Sequence, residues 1–285
     1  MNRSWIAVLV AVALTPAAVA IAQEAISQAA AGSGARPPQS SCDRTLAADF
    51  DPQKGEFWGS RVAIWQIQDG SAILFQSGMT IDADGAPNAY NPENTGLDDL
   101  RNAGEPGHWE GIVANGEGEP LLQGPDDPFP GFYISCTALW DRTKAVTDPT
   151  RFVDASKIPY IVLPGALSRQ VGAQLGDFAV VMNTRNSRSA YAIFADVGTL
   201  GEGSMALAQK LGIWSDAREG GTRGGIVYLL FPKSGNRQPR PVEEIEGETD
   251  RIFQSWGGTG RLNTCRVPQD AKPAANAVPV AASAN

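Results

Sequence analysis

The chain has 285 residues, 42% hydrophobic and 19% charged, which excludes a disordered or fibrous protein. Its 31 Gly and 20 Pro favour turns and short strands over helices. A net charge of −8 disfavours nucleic acid and anionic lipid as partners, and one His with three Cys leaves no Cys₄, Cys₂His₂ or His-Glu-x-x-His site.

Read from the N-terminus, residues 1–22 have the form of an export signal. Arg3 supplies the positive region, Trp5 to Leu14 the apolar run, and Ala20-Ile21-Ala22 a small-x-small cleavage site. A membrane anchor is disfavoured by Pro16 and by the small residues around it. The expected product is secreted or periplasmic, with no membrane association after cleavage. Residues 23–41, rich in Ala, Ser, Gly and Pro, read as a flexible linker, and residues 267–285 as a disordered Ala/Pro-rich tail. Residues 42–266 form the expected single domain. Export makes disulfides possible, and three Cys cannot all pair in one chain. Cys136 sits in an apolar stretch, whereas Cys42 and Cys265 flank the domain, and domain termini often lie close together. A Cys42–Cys265 bridge is expected.

Within the domain, strands are expected at Arg61–Ile67, Ser71–Phe75, Gly131–Thr137, Tyr160–Leu163, Asp177–Met182, Ser189–Ala195 and Gly225–Phe231. They are rich in Val, Ile, Phe and Tyr and bounded by turn residues. Two helices are expected. Ser204 to Leu211 has Ser204 as N-cap and Gly212 as stop. Glu243 to Trp256 aligns Ile245, Ile252, Phe253 and Trp256 on one face. Asp82 to Gly131 is a long stretch without regular pattern, the kind of ordered loop that often carries function. The fold class is mainly β with a few short helices. A barrel is favoured over a doubly wound sheet because helices do not alternate with strands.

Several chemistries fail on the residues. There is no Gly-x-Ser-x-Gly elbow, and a Ser-His-Asp triad would have to use His108. Asp82-Ala83-Asp84-Gly85 matches the opening of a Ca²⁺ loop, with Glu93 at its twelfth position. Ala86 and Pro87 then stand where a ligand and the turn glycine belong, so a polar turn is expected and no metal or cofactor. Carboxylates remain. An apolar strand ends in Asp196, a Gly-rich turn follows, and Glu202 lies just before a helix. Two carboxylates in unlike environments suit glycosidic hydrolysis, one as protonated acid and one as ionised base. On the bare pattern alone, a turn Asp and a Glu that merely favours a helix start are the better reading of the segment.

Several ordered blocks together resemble the chitosanases of glycoside hydrolase family 75. They are Asp82 to Pro87 through Tyr90-Asn91-Pro92, Gly96-Leu97-Asp98, Pro106 to Trp109, Gly131 to Ser135, Ile158 to Pro164, Gly176-Asp177, and Phe194 to Gly198 with Gly201 to Ser204. The resemblance spans about Phe57 to Pro232, and its last block is the most specific. The family's catalytic Asp and Glu fall on Asp196 and Glu202, and the family's mechanism is inverting. The element order is also similar to the double-psi β-barrels of lytic transglycosylases and some cellulases, which implies a double-psi β-barrel-like core.

The resulting expectation is an exported, monomeric endo-chitosanase acting on chitosan or a related cationic polysaccharide. An acidic protein attracts a cationic polymer. Asp82, Asp84 and Asp177 are candidates for pairing with substrate ammonium groups, and Tyr90 and Trp109 for stacking on sugar faces. Lys157 is a candidate for bonding a sugar or keeping Asp196 ionised. Glu202 is assigned as acid and Asp196 as base, with both side chains expected to face one open groove. Two other readings stand beside this one: a different glycan cleaver on the same barrel, acting on peptidoglycan for instance, and a non-catalytic glycan binder.

Overall fold

The computed structural model describes residues 42–50 and 61–265. The expected signal, linker and tail lie outside them. In chain order the described strands are β1 (Arg44–Phe50), β2 (Val62–Ile67), β3 (Ile73–Asp82), β4 (Gly104–Glu105), β5 (His108–Trp109), β6 (Tyr160–Leu163), β7 (Phe178–Asn183), β8 (Arg188–Val197), β9 (Glu202–Ser204) and β10 (Thr222–Leu230). The helices are α1 (Gly165–Val171), α2 (Met205–Leu211), α3 (Val242–Trp256) and α4 (Gly258–Cys265).

Six of these strands close on themselves in the order β3-β10-β7-β8-β6-β9 and back to β3. The pairs β6–β8 and β3–β9 are parallel and the other four are antiparallel. The core is thus the expected barrel, mainly β with short helices around it. Closure leaves the barrel without an exposed strand edge. The β1–β2 hairpin extends the sheet outward from β3.

Barrel strands are apolar on both faces because both are covered. Ala192 and Phe194 of β8 belong to the cluster that includes Phe75, Ile161 and Leu230. Ile193 and Ala195 belong to a second cluster with Tyr90, Tyr160 and residues of the long loop. The Phe75 and Tyr228 rings stack at 4.6 Å across the β3–β10 pair, and Tyr228 donates to the Gly78 carbonyl at 2.9 Å. A third cluster lies under α3, where Phe253 and Trp256 cover Val180 and Leu229. Ile245 is buried with the loop-side cluster and Ile252 is half-buried, so the expected apolar face of α3 is present. The helix opens with Glu243 and Glu244 and stops at Gly257, whose φ of 119° suits glycine.

The Cys42–Cys265 bridge is present, with Cα atoms 5.0 Å apart, and ties α4 to the start of β1. Three expectations need correction. The Gly131–Thr137 stretch is not a strand; it makes isolated bridges, Ser135 to Ile112 and Tyr133 to Leu122, because its neighbours are turns of the same loop. β3 and β8 run longer than their apolar cores and end in Asp82 and in Asp196-Val197. Glu202 lies in β9 rather than in a turn, because those three residues are wedged between β3 and β6 to close the barrel.

Candidate active site

Strand register brings the acidic residues together. Asp82 ends β3, Asp196 is the penultimate residue of β8, and Glu202 opens β9. Val162 of β6 pairs with Asp196 on one side. On the other side the antiparallel Ile161–Gly203 pair sets Val162 opposite Glu202. Asp196 and Glu202 therefore flank one β6 residue, and their backbones are separated by two strand spacings of roughly 4.8 Å each. Across β9, Thr80 pairs with Glu202 and Asp82 with Ser204. The loop after β3 then returns Asp84, so that Asp82, Asp84 and Asp196 bring carboxylate oxygens within 4.8 Å of one another.

Each carboxylate is held by a few donors. Asp196 Oδ1 accepts from the Ala138 and Val197 backbone N–H groups, both at 2.8 Å. Glu202 Oε2 accepts from the Thr199 N–H at 2.9 Å. The Asp84 N–H donates to Asp82 Oδ1 at 2.8 Å, which makes the expected polar turn. The Tyr90 hydroxyl lies 2.7 Å from Asp84 Oδ1 and 3.3 Å from Asp98 Oδ2, and the Tyr160 hydroxyl donates to the Asp84 carbonyl at 3.0 Å. Two glycines leave the space these acids need. A Cβ on Gly111 would stand 2.6 Å from Asp84 Oδ1. One on Gly198 would meet Glu202 Oε2 at 3.0 Å and Val162 Cγ1 at 3.1 Å.

Burial and mutual repulsion dominate the electrostatics. Among the described residues, neither Lys nor Arg forms an ion pair with any of the four acids. Burial, then the Asp82 charge, pushes Glu202 up to about 8. Burial pushes Asp82 up to about 6, against hydrogen bonds from Asp84 and Tyr160. Asp84 and Asp196 are also raised well above the usual carboxylate range, first by burial and then by the Asp82 charge. Ionising one of these groups opposes ionising the next, so near neutral pH the cluster holds protonated and ionised carboxyls side by side. That is the equipment of general acid–base chemistry. The Asp82, Asp84 and Asp196 oxygens are also close enough to share one hard cation.

The other candidates fare differently. Asp82 and Asp84 stand in the acid cluster itself. Tyr90 is buried and offers no ring face; its hydroxyl braces Asp84 instead. Trp109 is half-buried in β5, its ring 6.4 Å from that of Tyr133, with its Nε1 buried and unbonded. Lys157 does not reach Asp196. It is exposed and pairs with Asp154, three residues back in the same turn, at 2.8 Å. Asp177 is fully buried; its carboxylate accepts from the Gln174, Lys233 and Gly235 N–H groups, which leaves no edge for a sugar. His108 is exposed in β5, opposite Glu105. Cys136 is half-buried, its thiol pushed up by burial and by the Asp84 and Asp196 charges.

Sequence reasoning missed Tyr160, Asp98 and Gly111. Asp98 and Tyr160 fall inside the blocks quoted above but without a role assigned to them, and Gly111 falls outside; each acts through a contact made by folding. The expected placement of both side chains on one open groove is not seen: Asp196 is buried, Glu202 is half-buried, and neither lines either of the two recesses described. One of about 800 Å³ is lined by Leu122, Asp126, Asp127, Asp148 and neighbours. The other, of about 350 Å³, borders Asp196 through Ala138 and Val197. Compared with models of protein families and with curated proteins, the chain matches none.

Proposed function

We propose that this chain is an exported glycoside hydrolase that cleaves the β-1,4-glucosaminide linkages of chitosan internally, with Glu202 as general acid and Asp196 as base. One observation carries the reading: four carboxyl groups converge at one end of the barrel without a cationic partner. Such a cluster is short of positive charge, and the ammonium groups of glucosamine units supply it. An approaching ammonium favours the ionised form of neighbouring carboxyls, so the substrate itself helps to ionise the base. Glu202, pushed up to about 8, still carries its proton at neutral pH.

In the proposed step Glu202 transfers its proton to the glycosidic oxygen as the C1–O bond breaks. Asp196 takes a proton from a water whose oxygen bonds to C1 from the opposite face. The two backbone N–H groups on Oδ1 favour the ionised form of Asp196 and oppose the burial and the Asp82 charge that raise it. Asp82 tunes both groups by charge. Inverting carboxyls stand roughly 6.5–9.5 Å apart, and backbones two strand spacings apart across β6 are compatible with that separation.

The test is incubation of the purified protein with chitosan, chitin and peptidoglycan, in the presence and absence of a chelator. Soluble glucosamine oligomers from chitosan, first seen as α-anomers by proton NMR, are expected. Initial β-anomers would replace the base with a nucleophile. Products from peptidoglycan alone would move the substrate, and no product from any polymer would leave a glycan binder.

A further inference from the structure

The recess of about 350 Å³ beside Asp196 has a charge opposite to that of the protein. Its wall carries Arg142, Arg169 and Arg237 together with Trp140, Ser168 and Gln174, and no Asp or Glu lines it. The chain as a whole has a net charge of −8. Among the described residues none of the three arginines forms an ion pair with a carboxylate. Three guanidinium groups on exposed residues border one recess with no carboxylate among its lining residues, a local excess of positive charge that attracts an anion.

The wall is built rather than incidental. Arg237 Nε donates to Gln174 Oε1 at 2.9 Å, which fixes the guanidinium and leaves its terminal nitrogens free for another partner. Arg237 holds a φ of 62°, a left-handed conformation that costs a residue with a side chain. The loop stays in that shape because Asp177 clamps it. One carboxylate takes N–H groups from Gln174 on one side and from Lys233 and Gly235 on the other, joining the two segments that deliver Gln174 and Arg237. Opposite them, the Arg142 guanidinium lies 5.6 Å from the Trp140 ring, whose centroid Arg151 also covers at 3.8 Å.

We propose that this recess binds an anionic group, a carboxylate or phosphate, held by Arg169 and Arg237. Planar guanidinium forks match both groups geometrically. Two sources share that chemistry: free phosphate, and an acidic substituent on a glycan chain. The second would sit directly beside the acid cluster, because Ala138 and Val197 line the recess and also hold Asp196 Oδ1. Binding is read without turnover, so the inference stands or falls apart from the hydrolytic reading.

Isothermal titration at fixed ionic strength tests it, with inorganic phosphate, an oligogalacturonate and a neutral glucan oligomer as probes. At least one anionic probe is expected to bind, with the neutral oligomer much weaker. Arg169→Gln with Arg237→Gln should weaken that binding by about tenfold or more. Binding of oligogalacturonate but not phosphate assigns the site to an acidic glycan; the reverse assigns it to a free anion. The proposal is overturned if neither anion binds, if the neutral oligomer binds as well, or if the double variant binds unchanged. Should the double variant not unfold like the parent, Arg169→Gln alone, at an exposed side chain, reads the same outcome.

Discussion

At Gly111 a single methyl group would be enough to displace the acid cluster. There a Cβ would stand 2.6 Å from one Asp84 oxygen and 2.9 Å from the other. Asp84 cannot yield easily, since Tyr90 holds its side chain and Tyr160 its carbonyl. A small shift does not relieve the clash with both oxygens, so Gly111→Ala is expected to break the Tyr90 bond and turn the Asp84 carboxyl out of the cluster. Activity on chitosan should fall by about tenfold or more, given that small misplacements in such sites cost up to about a hundredfold. Wild-type activity in that variant would remove Asp84 from the machinery. The direct chemical test lies in the two residues with assigned proton transfers. Glu202→Gln and Asp196→Asn keep shape and lose transfer, so each should lower kcat by about 10²–10⁴-fold with the fold intact by circular dichroism. Near-normal turnover in either would place the chemistry on Asp82 or Asp84. At this scale the sequence was legible in part. The segment from Phe194 to Ser204 marks Asp196 and Glu202 through its resemblance to a family. Asp177 illustrates the limit, because a carboxylate before a strand reads alike whether it meets a sugar or caps three backbone N–H groups.

Among the elements, legibility follows burial. β6 is four buried apolar residues and matches its expected limits at both ends. β9, with the residues Glu-Gly-Ser, has no strand signature; it is a strand because closing the barrel requires one between β3 and β6. α1 was unread because its cap, Pro164, makes no side-chain hydrogen bond and its seven residues are too short for a period to show. α2, of equal length, was read from its cap. Ser204 accepts from the Leu207 N–H, as a capping residue does. The structure adds what the cap also does: Ser204 Oγ accepts from the Tyr160 N–H at 3.0 Å and donates to the Ile158 carbonyl at 2.8 Å. One hydroxyl thus joins α2, β6 and the strand that carries Glu202. Ser204→Ala removes all three bonds in a fully buried place. It should cost about 1–3 kcal/mol by denaturant unfolding, more than an exposed cap would. A loss within the range of an ordinary surface substitution would show that the junction does not depend on it.

For the whole molecule, the acid cluster makes stability depend on pH in an unusual direction. In the folded protein Glu202 is raised from 4.5 to about 8 and Asp82 from 3.8 to about 6, both chiefly by burial. Between its unfolded and folded values each group binds more protons folded than unfolded. Stability therefore falls as pH rises through that window. Their contribution is fully present below about pH 4 and is lost by about pH 8. Surface acids of the opposite kind act at the other end. At Asp69 burial is outweighed by hydrogen bonds from Arg261 and Ser71, and its value drops from 3.8 to about 2. Its contribution is present above its unfolded value and disappears as pH falls toward 2. Together the two trends favour stability in the mildly acidic range. The proposed hydrolysis would gain from the same placement, since Glu202 must keep its proton to act as an acid. Thermal unfolding across roughly pH 4 to 9 should show a midpoint that declines steadily above about pH 5. Glu202→Gln cannot ionise, so it should flatten that decline and raise the midpoint at pH 8 while removing activity. A variant with the parental slope would mean that Glu202 is not raised in the folded protein. It would then be an anion at neutral pH, unable to serve as the proton donor.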